Sequence, residues 1–144
     1  MPSKAKVFCV PPEAVGAAWL ACGAWLLRGL KEASNVPVLD TIDACREGRQ
    51  QLWIMGDIER SECLGAAVTQ ITLQDDARHV DVIVLAGKDL RAWARPLAEA
   101  LAAFAKAEGA RSVRANGRPE WARLFPDVRA IGATSDKTVF ERVI

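Results

Sequence analysis

The spacing of hydrophobic residues along this chain changes period several times, and each change marks an element. Lys6 to Val10 is a short apolar-rich run closed by Pro11-Pro12 and reads as a first strand. From Glu13, the residues Val15, Trp19, Cys22, Leu26 and Leu30 recur three or four apart, the stripe of a helix whose ends are blurred by Gly16, Gly23 and Gly29. After a break at Ser34-Asn35, Asp40 to Gly48 has an acidic start and a glycine stop, as a short helix does. The period then falls to two. Gln51 to Gly56 and Cys63 to Leu73 read as strands joined by the polar turn from Asp57 to Glu62, and Arg78 to Leu85 follows the turn Gln74-Asp75-Asp76-Ala77. Together they predict an antiparallel meander. In its last strand Val80, Val82 and Val84 alternate with His79, Asp81, Ile83 and Leu85, which predicts one dry face and one mixed face.

Helical spacing returns from Asp89. Leu90, Trp93, Ala94, Leu97, Leu101 and Phe104 fall on one side, with Arg91, Arg95, Glu99, Lys106 and Glu108 largely on the other, as far as Gly109. Arg111 to Ala115 is then a strand, and a strand-helix-strand unit crosses over right-handed, which makes its two strands parallel. Asn116 to Phe125 supplies a turn, a proline at a helix start and a short helix. Val128 to Ala133 and Lys137 to Val143 form a last strand pair around Thr134-Ser135-Asp136. The class is α+β, with a mixed but mainly antiparallel sheet. The 144 residues suit one domain spanning 1–144.

Composition narrows the options. A formal charge of +1 gives no field toward nucleic acid or anionic lipid, and 51% apolar with 26% charged residues is ordinary for a globular chain. The longest apolar stretch, Ala14 to Leu27, is too short to cross a bilayer and follows two prolines rather than a basic leader, so no membrane span or signal peptide is expected and a cytoplasmic location follows. Cys9, Cys22, Cys45 and Cys63 are widely spaced around a single histidine, so a metal site is not expected; buried thiols are the favoured reading, with a disulfide left open.

The chemistry concentrates where the third meander strand meets the long helix. A strand delivered to a helix N-terminus exposes backbone N–H groups and a partial positive charge, which suits phosphate. Gly87 can expose donors there, and Lys88 and Arg91 can offset phosphate charge, whereas Asp89 places a carboxylate beside the same spot and also reads as a helix N-cap. Asp81, flanked by valines, must find partners or act chemically; an ion pair with Arg114 is the competing account. His79 is open to a structural hydrogen bond or to a role as base. Trp53 and Trp93 sit at core spacing, while Trp121 suits a ligand or partner surface.

This order of elements resembles the GNAT superfamily of acyl-CoA N-acyltransferases, from about Lys6 to Ile144. Gly48-Arg-Gln-Gln-Leu-Trp53, Leu64-Gly-Ala-Ala-Val-Thr-Gln-Ile71, Ala107-Glu-Gly-Ala-Arg-Ser-Val-Arg114 and Gly117-Arg-Pro-Glu-Trp-Ala-Arg-Leu124 look like small GNAT-like proteins of bacteriophages and prophages. The resemblance implies a central sheet with helices on both faces and acetyl-CoA wedged between two splayed strands. It implies acyl-CoA contacts at Leu85, Gly87, Lys88, Asp89, Leu90, Arg91 and Asn116, with Asp81 or His79 as base toward an unknown amine acceptor. Two features depart from the family pattern: the loop has one glycine rather than several, and the chain contains no tyrosine to protonate the departing thiolate. These changes equally suit a GNAT-shaped protein without catalysis that binds a phage or host protein or is associated with the virion.

Overall fold

The computed structural model describes residues 5–32, 38–57, 62–117, 123, 125, 127–133 and 138–144. In order, these form β1 (Ala5–Val10), a 3-10 turn (Pro12–Ala14), α1 (Val15–Glu32), α2 (Val38–Arg46), β2 (Gln51–Asp57), β3 (Glu62–Gln74), β4 (Ala77–Gly87), α3 (Leu90–Ala107), β5 (Ala110–Gly117), β6 (Arg129–Ala133) and β7 (Thr138–Val143). The strands make one seven-stranded sheet in the order β1-β2-β3-β4-β5-β7-β6. Every pairing is antiparallel except β4 with β5, the parallel pair expected from the strand-helix-strand unit.

Helices cover both faces because the central strands are apolar on both. On one face the inner stripe of α1, with Val15, Cys22 and Leu26 at 0 to 1% exposure, packs on Leu52, Ala66, Val68 and Val84. On the other, α3 lays Trp93, Leu97 and Leu101 on Trp53, Met55, Leu64 and Ala67. Truncating a side chain such as Leu26 or Leu97 to alanine costs about 2–5 kcal/mol at sites packed this closely. Trp53 and Trp93 lie in the core as their spacing predicts, and each indole N–H has an acceptor, Thr69 Oγ1 at 2.9 Å and the Lys88 carbonyl at 2.7 Å.

Local signals set the ends of the helices. Gly48 and Gly109 adopt φ of 78° and 70° just beyond α2 and α3, the left-handed stop that glycine makes easily. Pro96 lies inside α3 without ending it, because the buried residues on both sides of it hold the helix to the sheet. The β3–β4 hairpin turns through Asp75 and Asp76, both left-handed at φ of 52° and 60°.

Several expectations need correction. The alternation along the third meander strand breaks at Ile83: Val68 pairs with Val84 but Thr69 with Val82, so Ile83 is an extra residue in a β-bulge. Beyond it Val84 turns to the α1 side and Leu85 to the α3 side, opposite to the simple period of two. Two of the four cysteines are not thiols, since Cys22 and Cys63 form a disulfide with Cα atoms 6.1 Å apart. Cys45 is a buried thiol and Cys9 an exposed one. β5 continues through Asn116 to Gly117, where a turn was expected. The short helix expected before Phe125, Trp121 within it, and the turn at Thr134-Ser135-Asp136 lie outside the described residues. Among the described residues no helix is long and apolar enough to cross a membrane.

Candidate functional site

A cleft opens in the sheet where β4 and β5 part. Their parallel ladder runs from Arg78 and Ala110 to Val82 and Ala115 and goes no further, although β4 extends to Gly87 and β5 to Gly117. Two local causes separate them. The bulge at Ile83 bends and twists β4. At the same level β5 stays committed to its other neighbour, with Asn116 opposite Val139 and Gly117 opposite Thr138. Past Val82 the β5-side edge of β4 therefore has no partner strand among the described residues.

On the α3 side the opening is apolar. A cavity of about 50 Å³ lies among Val82 and Leu85 of β4, Leu97 and Leu101 of α3, Ala115, Phe125, Val128 and Phe140. Leu85 reaches this wall because of the bulge.

The mouth of the cleft is the loop into α3. The Lys88 N–H donates to the Leu64 carbonyl at 2.8 Å, which ties the loop to β3, and its ammonium pairs with Glu62. The next three N–H groups, of Asp89, Leu90 and Arg91, donate to nothing among the described residues, as the first amides of a helix do. The free donors thus sit slightly further along the chain than a glycine-centred loop suggests. Gly87 has a packing reason to be glycine: a Cβ there would lie 2.5 Å from the Leu64 carbonyl oxygen and 2.9 Å from the Trp93 ring. Asp89 occupies the N-cap position but makes no side-chain cap bond, so the capping role expected of it is not realised; its backbone is left-handed, at φ 54° and ψ 45°. Arg91 and Asn116 are exposed.

The α1 side of the same strands is polar. Asp81, one pair below the apex of the cleft, accepts from Arg114 Nε at 2.9 Å and from Thr72 Oγ1 at 2.8 Å, while Arg114 also donates to Gln74 at 2.6 Å. The ion pair with Arg114 is therefore present. His79 is buried at the closed end of the ladder, its Nδ1 2.7 Å from Ser112 Oγ. Across β5, Arg114 is in register with Glu141, and Arg129 with Glu141 in turn, the latter two joined at 3.3 Å. Opposite charges thus alternate over four strands just below the cleft. Glu141 was not singled out from sequence. Its period-two neighbours place it on this face, but only the insertion of β7 beside β5 brings it next to Arg114.

Among the described residues no group of three histidine, cysteine or acidic side chains is arranged to hold a metal. No protein-family model matches the sequence and no curated protein is significantly similar to it. The architecture does recur in solved structures. PaiA N-acetyltransferase from Thermoplasma acidophilum, in complex with coenzyme A, aligns with a TM-score of 0.61 at 10% identity over 97% of this chain and 99% of its own. Ribosomal-protein-S5-alanine acetyltransferase from Vibrio fischeri aligns at 0.59 and 12% identity over 97% and 93%. An acetyltransferase from Thermus thermophilus aligns at 0.57 and 14% over 96% and 97%. The fold is that of the GNAT acetyltransferases.

Proposed function

We propose that the protein is an acyl-CoA-dependent N-acyltransferase that moves an acetyl group to an amine, of the small phage and prophage type that its sequence resembles. The observation that carries this reading is the end of the β4–β5 ladder at Val82 and Ala115, beside a helix start whose first three amides donate to nothing among the described residues. A thioester-bearing tail needs a gap between strands, and its phosphates need donors at the mouth; both lie on the open side of one apex.

Acetyl-CoA supplies the activated carbonyl in this scheme, and the remaining work falls to the chain. The amides of Asp89, Leu90 and Arg91, with the Arg91 guanidinium, hold the pyrophosphate, while Gly87 and Lys88 shape the loop that presents them. Leu85 forms the apolar wall along the tail, and Asn116 offers a carboxamide to the amides of the pantetheine arm from across the gap. Asp81 takes the proton of the attacking ammonium, its carboxylate held by Arg114 and Thr72. His79 secures the closed end through Ser112. With no tyrosine in the chain, the departing thiolate takes its proton from water, and acceleration rests on positioning plus one base.

Two observations favour a second reading, a non-catalytic GNAT-shaped protein that binds a protein partner. The apolar cavity is only about 50 Å³, with Phe125 in its wall, and Asp89 carries a negative charge at the mouth. Isothermal titration separates the two. The acyltransferase reading predicts saturable binding of both acetyl-CoA and coenzyme A in the micromolar range. Silence from both ligands at high micromolar concentration removes it and leaves the second.

A further inference from the structure

α1 is apolar on the side that faces away from the protein as well as on the side that faces the sheet. Ala17, Leu20, Ala21, Ala24 and Leu27 are all exposed, Leu20 at 90% and Leu27 at 53%. Their spacing of three, one, three and three puts them on one stripe, directly opposite the buried Val15, Cys22 and Leu26. The helix cannot easily roll this stripe inward. The Cys22–Cys63 disulfide fixes it to the start of β3, and the Trp25 indole donates to the Cys63 carbonyl at 3.2 Å. Helices that are apolar all round are ordinarily covered all round.

We propose that this outer face of α1 pairs with the same face of a second copy of this chain, antiparallel and about a two-fold axis. Charge complementarity points to a second copy. Among the described side chains, an exposed acid, Glu13, stands at one end of the apolar stripe and an exposed base, Arg28, at the other. An antiparallel copy centred between Leu20 and Ala21 brings Glu13 beside the partner's Arg28 and Arg28 beside the partner's Glu13. The same axis sets Leu20 against the partner's Ala21 and Ala17 against the partner's Ala24, so the leucine meets a small side chain, alanine meets alanine, and the helices can approach closely. A two-fold contact must be self-complementary in this way. A lipid surface suits the stripe less well, because an interfacial helix is expected to carry clustered basic residues along its polar margin, and the described side chains that bound this stripe carry opposite signs. Five apolar side chains per copy fall short of the roughly 1,200 Å² of a standard stable interface, so the dimer should be reversible at micromolar concentration.

Sedimentation velocity on the full chain, from low to several hundred micromolar, tests this. The expected result is a concentration-dependent monomer–dimer equilibrium. Leu20→Glu should weaken it at least about tenfold with little change in thermal midpoint, since Leu20 is exposed. Glu13→Arg alone should weaken it several-fold, and Glu13→Arg combined with Arg28→Glu should restore it. A monomer throughout the range, a dimer indifferent to Leu20→Glu, or a monomer that binds phosphatidylcholine or phosphatidylglycerol vesicles through Leu20 would each overturn the proposal.

Discussion

Asp89 opposes two tendencies at one position. It holds a left-handed backbone, which costs an L side chain energy, and it carries a carboxylate beside the amides at the start of α3 without capping them. Replacing it with glycine should relieve both. Asp89→Gly is expected to raise the thermal midpoint and to tighten coenzyme A binding several-fold by titration; a rise in stability without tighter binding would mean that phosphate does not sit there. Gly87 behaves in the opposite way. Gly87→Ala would press a methyl against the Leu64 carbonyl and the Trp93 ring, and should cost about 2–3 kcal/mol in urea unfolding. Asp81→Asn keeps the shape of the side chain while removing its basicity, so kcat should fall by about 100-fold or more with the KM for acetyl-CoA little changed. An unaltered kcat would take Asp81 out of the chemistry. At this scale the sequence was a partial guide. The pairing of Asp81 with Arg114 was legible as one of two alternatives, since two strands of one parallel unit must neighbour each other. The left-handed state of Asp89 was not, because an aspartate before a helix ordinarily signals a cap.

Elements were more legible than their details. Periodicity located all the helices and strands of the described residues to within a few positions, because the shift from period two to 3.6 is written in long side chains such as Trp93, Leu97 and Leu101. The bulge at Ile83 left no mark: Val80 to Leu85 is apolar on both parities apart from Asp81, so a slip of one residue costs no visible pattern. The same was true of the disulfide, since wide spacing could not say which cysteines meet. Two consequences follow at this scale. The turn between β3 and β4 uses two left-handed aspartates, and the paired substitution Asp75→Asn with Asp76→Gly, the favoured pair for such a turn, should add about 0.5–1 kcal/mol in urea unfolding. Packing of α2 also has a pH signature. Burial, reinforced by the nearby Cys9, pushes the Cys45 thiol up to about 11 from an ordinary 9.0. The folded chain holds this proton more tightly than the unfolded one, so the stabilisation is complete below pH 9 and is lost as pH rises toward 11. The thermal midpoint should drop over that window, and less steeply in Cys45→Ala.

At the scale of the whole molecule, the order of elements and one right-handed crossover were enough to predict a mixed sheet with a single parallel pair. What they could not supply was the depth of the gap. That depends on where the β4–β5 ladder stops, which is decided by the bulge in one strand and by the grip of β7 on the other. Both are long-range pairings. An acyl-CoA tail can enter only through that gap, and amide hydrogen exchange with and without coenzyme A tests this most directly. Protection should appear at Ile83 to Arg91 and at Asn116 and Gly117, on the open side of the apex, with Arg78 to Val82 unchanged. Exchange that is the same in both conditions, or protection confined to regions away from the β4–β5 opening, would contradict it.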